Sequence, residues 1–398
     1  MRISTAHAYD ATIERLTQRQ SELSNDQLRL TTGKRVMRAS DDPVNAARAE
    51  RALASVSRAT AGQRSVEASR SAMTQLEGAL GEAVELLQTA RDAIVQGGNP
   101  SYDDSQRKAL AEQIRDLRNQ LLALANRDDG AGGRLFAGQG SGTQPFVDAA
   151  GGVQYVGTRG ETGASLSGLM PMTMDGAATW MSAMSGNGVF ETRSLTRAGS
   201  GWIDAGSVTD PSQLTGSTYS LQFDVTAGVT TYSVLKDGLP TALTAQPYVS
   251  GQAIQFDGMT MKVTGAPADG DEFEIAPSTP TLGVFDALDK AVANLSAPLP
   301  APGAIAQATS DNLRNLDAVM ARLSGARADA GEALNRIEGI GAQLDSQTLA
   351  GKIERSVAED LDIVPAYSDF QNKQTGYEAA LKTYASVQRL SLFNYINT

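Results

Sequence analysis

Apolar and aromatic residues near both ends of this chain recur at alternating steps of four and three. Tyr9, Ile13, Leu16, Gln20, Leu23, Gln27 and Leu30 form the first row; Ile363, Tyr367, Phe370, Gln374, Tyr377, Leu381 and Tyr384 form the second. That is the 3.5-residue seam of a coiled coil, with glutamines interrupting both rows. The first row predicts a helix from about Ser4 to Leu30, roughly 40 Å long. Chain ends ordinarily fray, so seams placed there point to partners and to a subunit of an assembly. An isolated amphipathic helix draws most of its stability from packing, and these seams carry glutamine and tyrosine where leucine would stabilise more. We read the ends as ordering when they pack with neighbouring subunits. The alternative is a long intramolecular hairpin that is already stable. Head-to-tail contacts of this kind generate rings or helical tubes.

Inside these ends the pattern is helices, strands, helices. A break at Thr31-Thr32-Gly33-Lys34 is followed by Ser40-Asp41-Asp42-Pro43, where Ser40 or Asp41 reads as an N-cap and Pro43 as a first-turn proline. From Val44 a helix of about fifty residues carries Val66, Met73, Leu80, Leu87 and Ile94 at every seventh position, with Leu76 on the companion row. Gly97 to Pro100 ends it and Asp103-Asp104 opens the next, whose stripe is Leu110, Ile114, Leu117, Leu121 and Leu124. The short turn makes those two helices antiparallel neighbours. From about Pro145 to Pro280 the period becomes two, as in Tyr219, Leu221, Phe223 and Val225. Asp257-Gly258 marks a type I′ hairpin there, Asp237-Gly238 a second hairpin, and Gly270-Asp271 a turn. Helical sequence returns at Leu282–Leu295, pauses over 297–303, and resumes with Leu316, Met320, Leu323, Ala330, Leu334, Ile337 and Leu344.

The expected fold class is therefore mainly α with an inserted β domain, the N- and C-terminal halves forming one long coiled-coil-like bundle. The expected domains are 1–42 with 355–398 as a terminal helical core, 43–144 with 281–354 as a helical bundle, and 145–280 as an outer β domain. A length of 398 residues suits about two to three domains.

Composition excludes several functions. A formal charge of -11 opposes binding to nucleic acid, which needs clustered Lys and Arg, and to anionic membranes. With no cysteine there are no disulfides, thiolate metal sites or cysteine nucleophiles. No apolar run approaches the ~20 residues of a membrane span, and the first residues have no signal-peptide core. The expectation is a protein that stays inside or leaves by a route using no such signal.

Met1-Arg2-Ile3-Ser4, Thr32-Gly33-Lys34-Arg35-Val36 and Ser40-Asp41-Asp42-Pro43, in that order, resemble the N-terminal region shared by bacterial flagellins and hook-associated proteins. Asp360-Leu361-Asp362, Gln374-Thr375, Tyr377 to Leu381 and Leu390 to Ile396 are most similar to the hook-filament junction branch of that family, as is Arg134 to Gly138. The resemblance implies a flagellin-like concentric tube: terminal helices inside, middle helices outside them, and the β domain projecting. It implies a structural, non-enzymatic subunit in a junction ring of the flagellum, serving motility. The partners it implies are hook-associated protein 1, flagellin, copies of itself and a flagellar export chaperone. It also implies extracellular placement after type III export without a cleaved signal peptide. The partner-binding residues it implies are Ile13, Leu16, Leu23 and Leu30 facing Tyr377, Leu381, Tyr384, Leu390, Leu392, Phe393, Tyr395 and Ile396. Pro365 departs from the family pattern: harmless in a first turn, kinking if deeper. The rival readings are flagellin itself and, from another class, a surface adhesin acting through the β domain.

Residues that could carry chemistry are few. His7 is the single histidine, so the two-histidine zinc protease inserted in some flagellin relatives is excluded. Asp128-Asp129-Gly130 and Asp269-Gly270-Asp271 lack the alternating ligands of a calcium loop and read as turns. Met170, Met172, Met174, Met181 and Met184 suit a seam between domains or an adaptable partner surface. Arg35 and Arg38 beside Asp41 and Asp42 read either as intersubunit ion pairs or as a solvated loop. No catalytic residue, cofactor or metal is expected, and Trp180 and Trp202 are too scattered for a glycan platform.

Overall fold

The structure is a computed structural model describing residues 3–130, 132–140, 143–164, 170–298 and 302–396; side chains at 3–6, 8, 302 and 388–396 are outside that description. Met1 and Arg2 of the family motif, and Leu390, Leu392, Phe393, Tyr395 and Ile396 of the expected contact set, therefore lie outside the described residues. The chain forms two compact units, Ser65–Gly339 and Met1–Arg64 with Ile340–Thr398.

The larger unit holds most of two long helices, α2 (Pro43–Gly97) and α6 (Pro302–Glu359), with α3 (Asp104–Ala125) and α5 (Val284–Ser296). The every-seventh row of α2 is buried: Val66, Met73, Leu80, Leu87 and Ile94 are each 2% exposed or less. Arg327–Glu77 at 2.6 Å and Arg91–Asp317 at 2.9 Å show that α2 and α6 run antiparallel here. Asp103 caps α3 through a capping box with Gln106, as its position predicts. Exposed ion pairs of this kind contribute at most about 1 kcal/mol each, so the buried row dominates the bundle.

The period-two region forms strands β1 (Phe146–Ala149), β2 (Gly152–Tyr155), β3 (Phe190–Thr196), β4 (Trp202–Ile203), β5 (Ser207–Val208), β6 (Tyr219–Thr226), β7 (Val229–Lys236), β8 (Leu239–Pro240), β9 (Gln246–Pro247), β10 (Ala253–Phe256), β11 (Met259–Thr264) and β12 (Glu272–Pro277). One sheet has the order β3-β12-β6-β7-β8, with β9 also on β7; another has β10-β11-β4, with β5 on β11. All these pairings are antiparallel. Their core includes Phe190, Ile203, Leu221, Phe223, Val234, Val263 and Phe273. Both Asp-Gly pairs form two-residue turns with left-handed backbones, Asp257 and Gly258 at φ 42° and 74° and Asp237 and Gly238 at 50° and 80°.

Three details differ from expectation. The N-cap of α2 is Asp42, not Ser40 or Asp41: its carboxylate accepts the Asn45 N–H at 3.0 Å with Pro43 as the first helical residue. Asp41 instead folds back on the loop, accepting the N–H groups of Met37 and Arg38 at 3.1 and 2.9 Å. A short helix, α4 (Gly176–Trp180), interrupts the β region behind an Asp175 cap. Trp180, 1% exposed, stacks on Phe285 at 6.0 Å and meets Phe136 edge-on at 5.3 Å. It is a core residue and offers no surface platform.

Candidate assembly interface on the terminal helices

In the smaller unit, α1 (Ile3–Thr32) lies along α7 (Ile363–Ile396). Tyr9 meets Tyr384 edge-on at 6.3 Å, Arg19 donates to the Gly376 carbonyl at 3.2 Å, and Lys373 pairs with Asp26 at 2.6 Å. These contacts descend one helix while climbing the other, so the pair is antiparallel. Counting from Tyr9 and Tyr384, the seams run in step: Ile13 is level with Leu381, Leu16 with Tyr377, Leu23 with Phe370 and Leu30 with Ile363. Pro365 falls in the first turn of α7, behind an Asp362 side chain that accepts the Val364 N–H at 3.2 Å. It removes only an N–H with no intrahelical partner.

The pair has no closed core. Not one described side chain of α1 or α7 is fully buried, whereas α3, only 22 residues long, buries eight. Leu16, Leu23, Leu30 and Tyr377 are half-buried; Ile13, Leu381, Tyr367 and Ile363 are 48%, 41%, 54% and 60% exposed. Two helices can cover only one side of each other, so the outer half of each seam stays wet until something else covers it.

A small clasp closes the base of the pair. Lys34 and Asp360 form an antiparallel bridge; Arg35 and Val36 both donate to the Glu359 carbonyl, at 2.7 and 3.3 Å, and Leu361 donates to Gly33 at 2.9 Å. Lys34 Nζ reaches Glu359 at 2.8 Å, and Arg35 donates to the Ala358 carbonyl at 3.2 Å. Gly33 permits this by taking a left-handed backbone, φ 68°, one residue beyond α1. Arg35 also stands 3.9 Å from Asp42 within the same chain. The carboxyls of Asp41 and Asp42 are held below the ordinary range, chiefly by accepting backbone N–H groups of Arg38 and Asn45. Sequence reasoning missed the clasp, because its two halves are 325 residues apart. The Lys373–Asp26 pair was findable once an antiparallel register was assumed, since charges flanking a seam pair across it.

The other sites weighed from sequence are scattered. His7 is exposed on α1. The side chains of Asp128 and Asp129 accept the N–H groups of Gly130 and Gly133, at 3.2 and 2.8 Å, so both serve turns. Met170 and Met174 are each 8% exposed and Met184 is 40% exposed. Among the described residues, no group of three or more potential ligands could hold a metal ion, and no helix is long and apolar enough to cross a membrane.

Residues 3–141 match the bacterial flagellin N-terminal helical region, and 195–277 match the D2-like domain of flagellar hook-associated protein 1. A crystal structure of the flagellar junction protein FlgL from Legionella pneumophila aligns with 30% identity over 70% of this chain and 94% of that one, with a TM-score of 0.64. The chain belongs to the hook-associated protein 3 family. FlgL of Xanthomonas campestris agrees, at 28% identity over 77% of this chain and 99% of that one, with a TM-score of 0.68. Flagellar hook-associated protein 3 of Salmonella typhimurium is 36% identical over 156 residues, 38% of this chain. The match spans about half the length of that curated relative, 48%. Matches to flagellins are weaker.

Proposed function

We propose that this chain is a structural subunit of the bacterial flagellum, a member of a ring that joins hook-associated protein 1 to the flagellin filament. The observation that carries this reading is the α1/α7 pair: two seams in register, no buried position among the described side chains, and a half-exposed apolar row along both helices. A surface like that gains from further helices of the same kind, which hook-associated protein 1, flagellin and sister copies would supply. In this reading Ile13, Leu16, Leu23 and Leu30 with Tyr377, Leu381 and Tyr384 make the contacts. Residues 1–42 with 355–398 serve as the inner core, 43–144 with 281–354 as the surrounding bundle, and 145–280 as the outer domain. Export through the flagellar channel, with a chaperone covering the C-terminal helix beforehand, belongs to the same proposal.

Deleting the gene tests it. Hooks without filaments in the electron microscope, with unpolymerised flagellin in the medium, are the expected result. Normal filaments in a strain with no second copy of the gene would end the junction reading.

A further inference from the structure

Asn187 is the one asparagine of this chain that precedes a glycine, Gly188; every other asparagine is followed by a residue with a side chain. That pairing carries chemistry of its own. An asparagine carboxamide is an electrophile within reach of the next backbone nitrogen, and glycine puts no Cβ in the way of their approach. Once hydroxide has taken its proton, the Gly188 nitrogen can bond to the Asn187 Cγ. The Cγ–Nδ2 bond then breaks, ammonia leaves with a proton from water, and a succinimide ring is closed. Water opens the ring to aspartate or isoaspartate. One amide becomes one carboxylic acid, with no change of oxidation state.

The fold ties down both reacting groups. Asn187 and Gly188 stand exposed, so water reaches them and burial gives no protection. Hydrogen bonds do. Asn187 Nδ2, the leaving group, donates to the carbonyls of Ala205 and Gly206 at 3.2 and 3.3 Å. Its Oδ1 accepts the N–H groups of Val189 and Phe190 at 3.0 and 2.9 Å. The attacking nitrogen of Gly188 donates to the Ser185 carbonyl at 3.3 Å, and the Asn187 N–H donates to the Phe190 carbonyl at 3.0 Å. Gly186, at φ 64°, keeps the loop this tight: a Cβ there would stand 2.1 Å from the Phe190 carbonyl oxygen. Turning the carboxamide towards the Gly188 nitrogen breaks these bonds together.

The same bonds make Asn187 the tie between the entry to β3 and the β4–β5 connection. As an aspartate, residue 187 would lose both donors and turn a negative oxygen towards two carbonyl oxygens.

We propose that Asn187-Gly188 is a fold-gated deamidation site. It reacts while the chain is unfolded and falls silent once 185–190 has closed on 204–206. A chain that has already reacted closes that loop less firmly, so the new carboxylate marks time spent unfolded.

The full-length chain would be incubated in mildly alkaline buffer with and without concentrated guanidinium chloride, and conversion at each asparagine followed by peptide mass spectrometry. In denaturant, Asn187 should convert first. In the native chain it should convert more slowly by roughly tenfold or more, because reaction must wait for the loop to open. Equal rates in the two conditions overturn the gate, and another asparagine converting first in denaturant overturns the site. Gly188→Ala, compared in denaturant where its native backbone angle no longer matters, should slow conversion; an unchanged rate there counts against attack by the Gly188 nitrogen. Asn187→Asp should lower the melting temperature and speed amide exchange over 204–206. No change in either overturns the tie.

Discussion

Gly33 and Gly376 make opposite demands on one substitution. Gly33 sits at φ 68°, where an L side chain is strained, so Gly33→Ala should destabilise the clasp by about 1 to 2 kcal/mol. Gly376 lies inside α7, and a Cβ there would meet only Arg19, at 3.7 Å. Gly376→Ala should therefore stabilise the helix by about 1 kcal/mol. Urea titration of the two full-length variants, followed by helical circular dichroism, separates the signs. Asp271, 0% exposed, accepts N–H groups from Ala198 at 2.6 Å, Ala268 at 2.8 Å and Gly199 at 3.1 Å. Asp271→Ala strands these donors and should cost about 3 kcal/mol or more, read as early melting of the β sheets and fast exchange at 198 and 199. Burial first, then the Asp289 carboxylate, hold Asp286 above its ordinary value of 3.8. The folded chain thus binds that proton more tightly than the unfolded chain, and ionised Asp286 weakens the fold at neutral pH. The weakening fades as pH falls through the raised value. Asp286→Asn should raise the melting temperature at pH 7, and the gain should shrink towards pH 4. At this scale the sequence was legible where a rule is local, as at Asp103 and Pro43. The three donors to Asp271 come from two loops about 70 residues apart in the chain, and no local pattern announces them.

Elements were legible where period and turn chemistry agreed. The α2 row, the α3 stripe and both Asp-Gly hairpins follow from spacing plus a left-handed pair. The turn at Ala227-Gly228, with φ 53° and 82°, escaped notice because alanine seldom takes that conformation. The short α4 escaped because five residues are too few to show a helical period. For the terminal helices, spacing gave the seams but not their depth of burial, which depends on what else packs there. A chain lacking its last ten residues should keep its helical content and monomeric solubility while losing assembly. Loss of the cooperative fold on that truncation would mean that the end of α7 stabilises the monomer itself.

For the whole molecule, the switch from period 3.5 to two and back falls where the strands lie, between Phe146 and Pro277. Stability should be uneven across the two units. Amides of α1 and α7 in the dilute monomer should exchange faster than those of 72–94 and 111–125 by roughly a hundredfold or more, measured by mass spectrometry. Equal protection would mean that the terminal pair is already complete without partners.

Because Tyr9 lies against Tyr384, the chain enters α1 and leaves α7 at the same end of the pair. A tag placed ahead of α1 or after α7 would therefore crowd one end of the candidate interface. Reporter peptides belong instead at Ala227-Gly228, an exposed two-residue tip with open space around the glycine, where an insertion meets solvent and leaves both seams untouched.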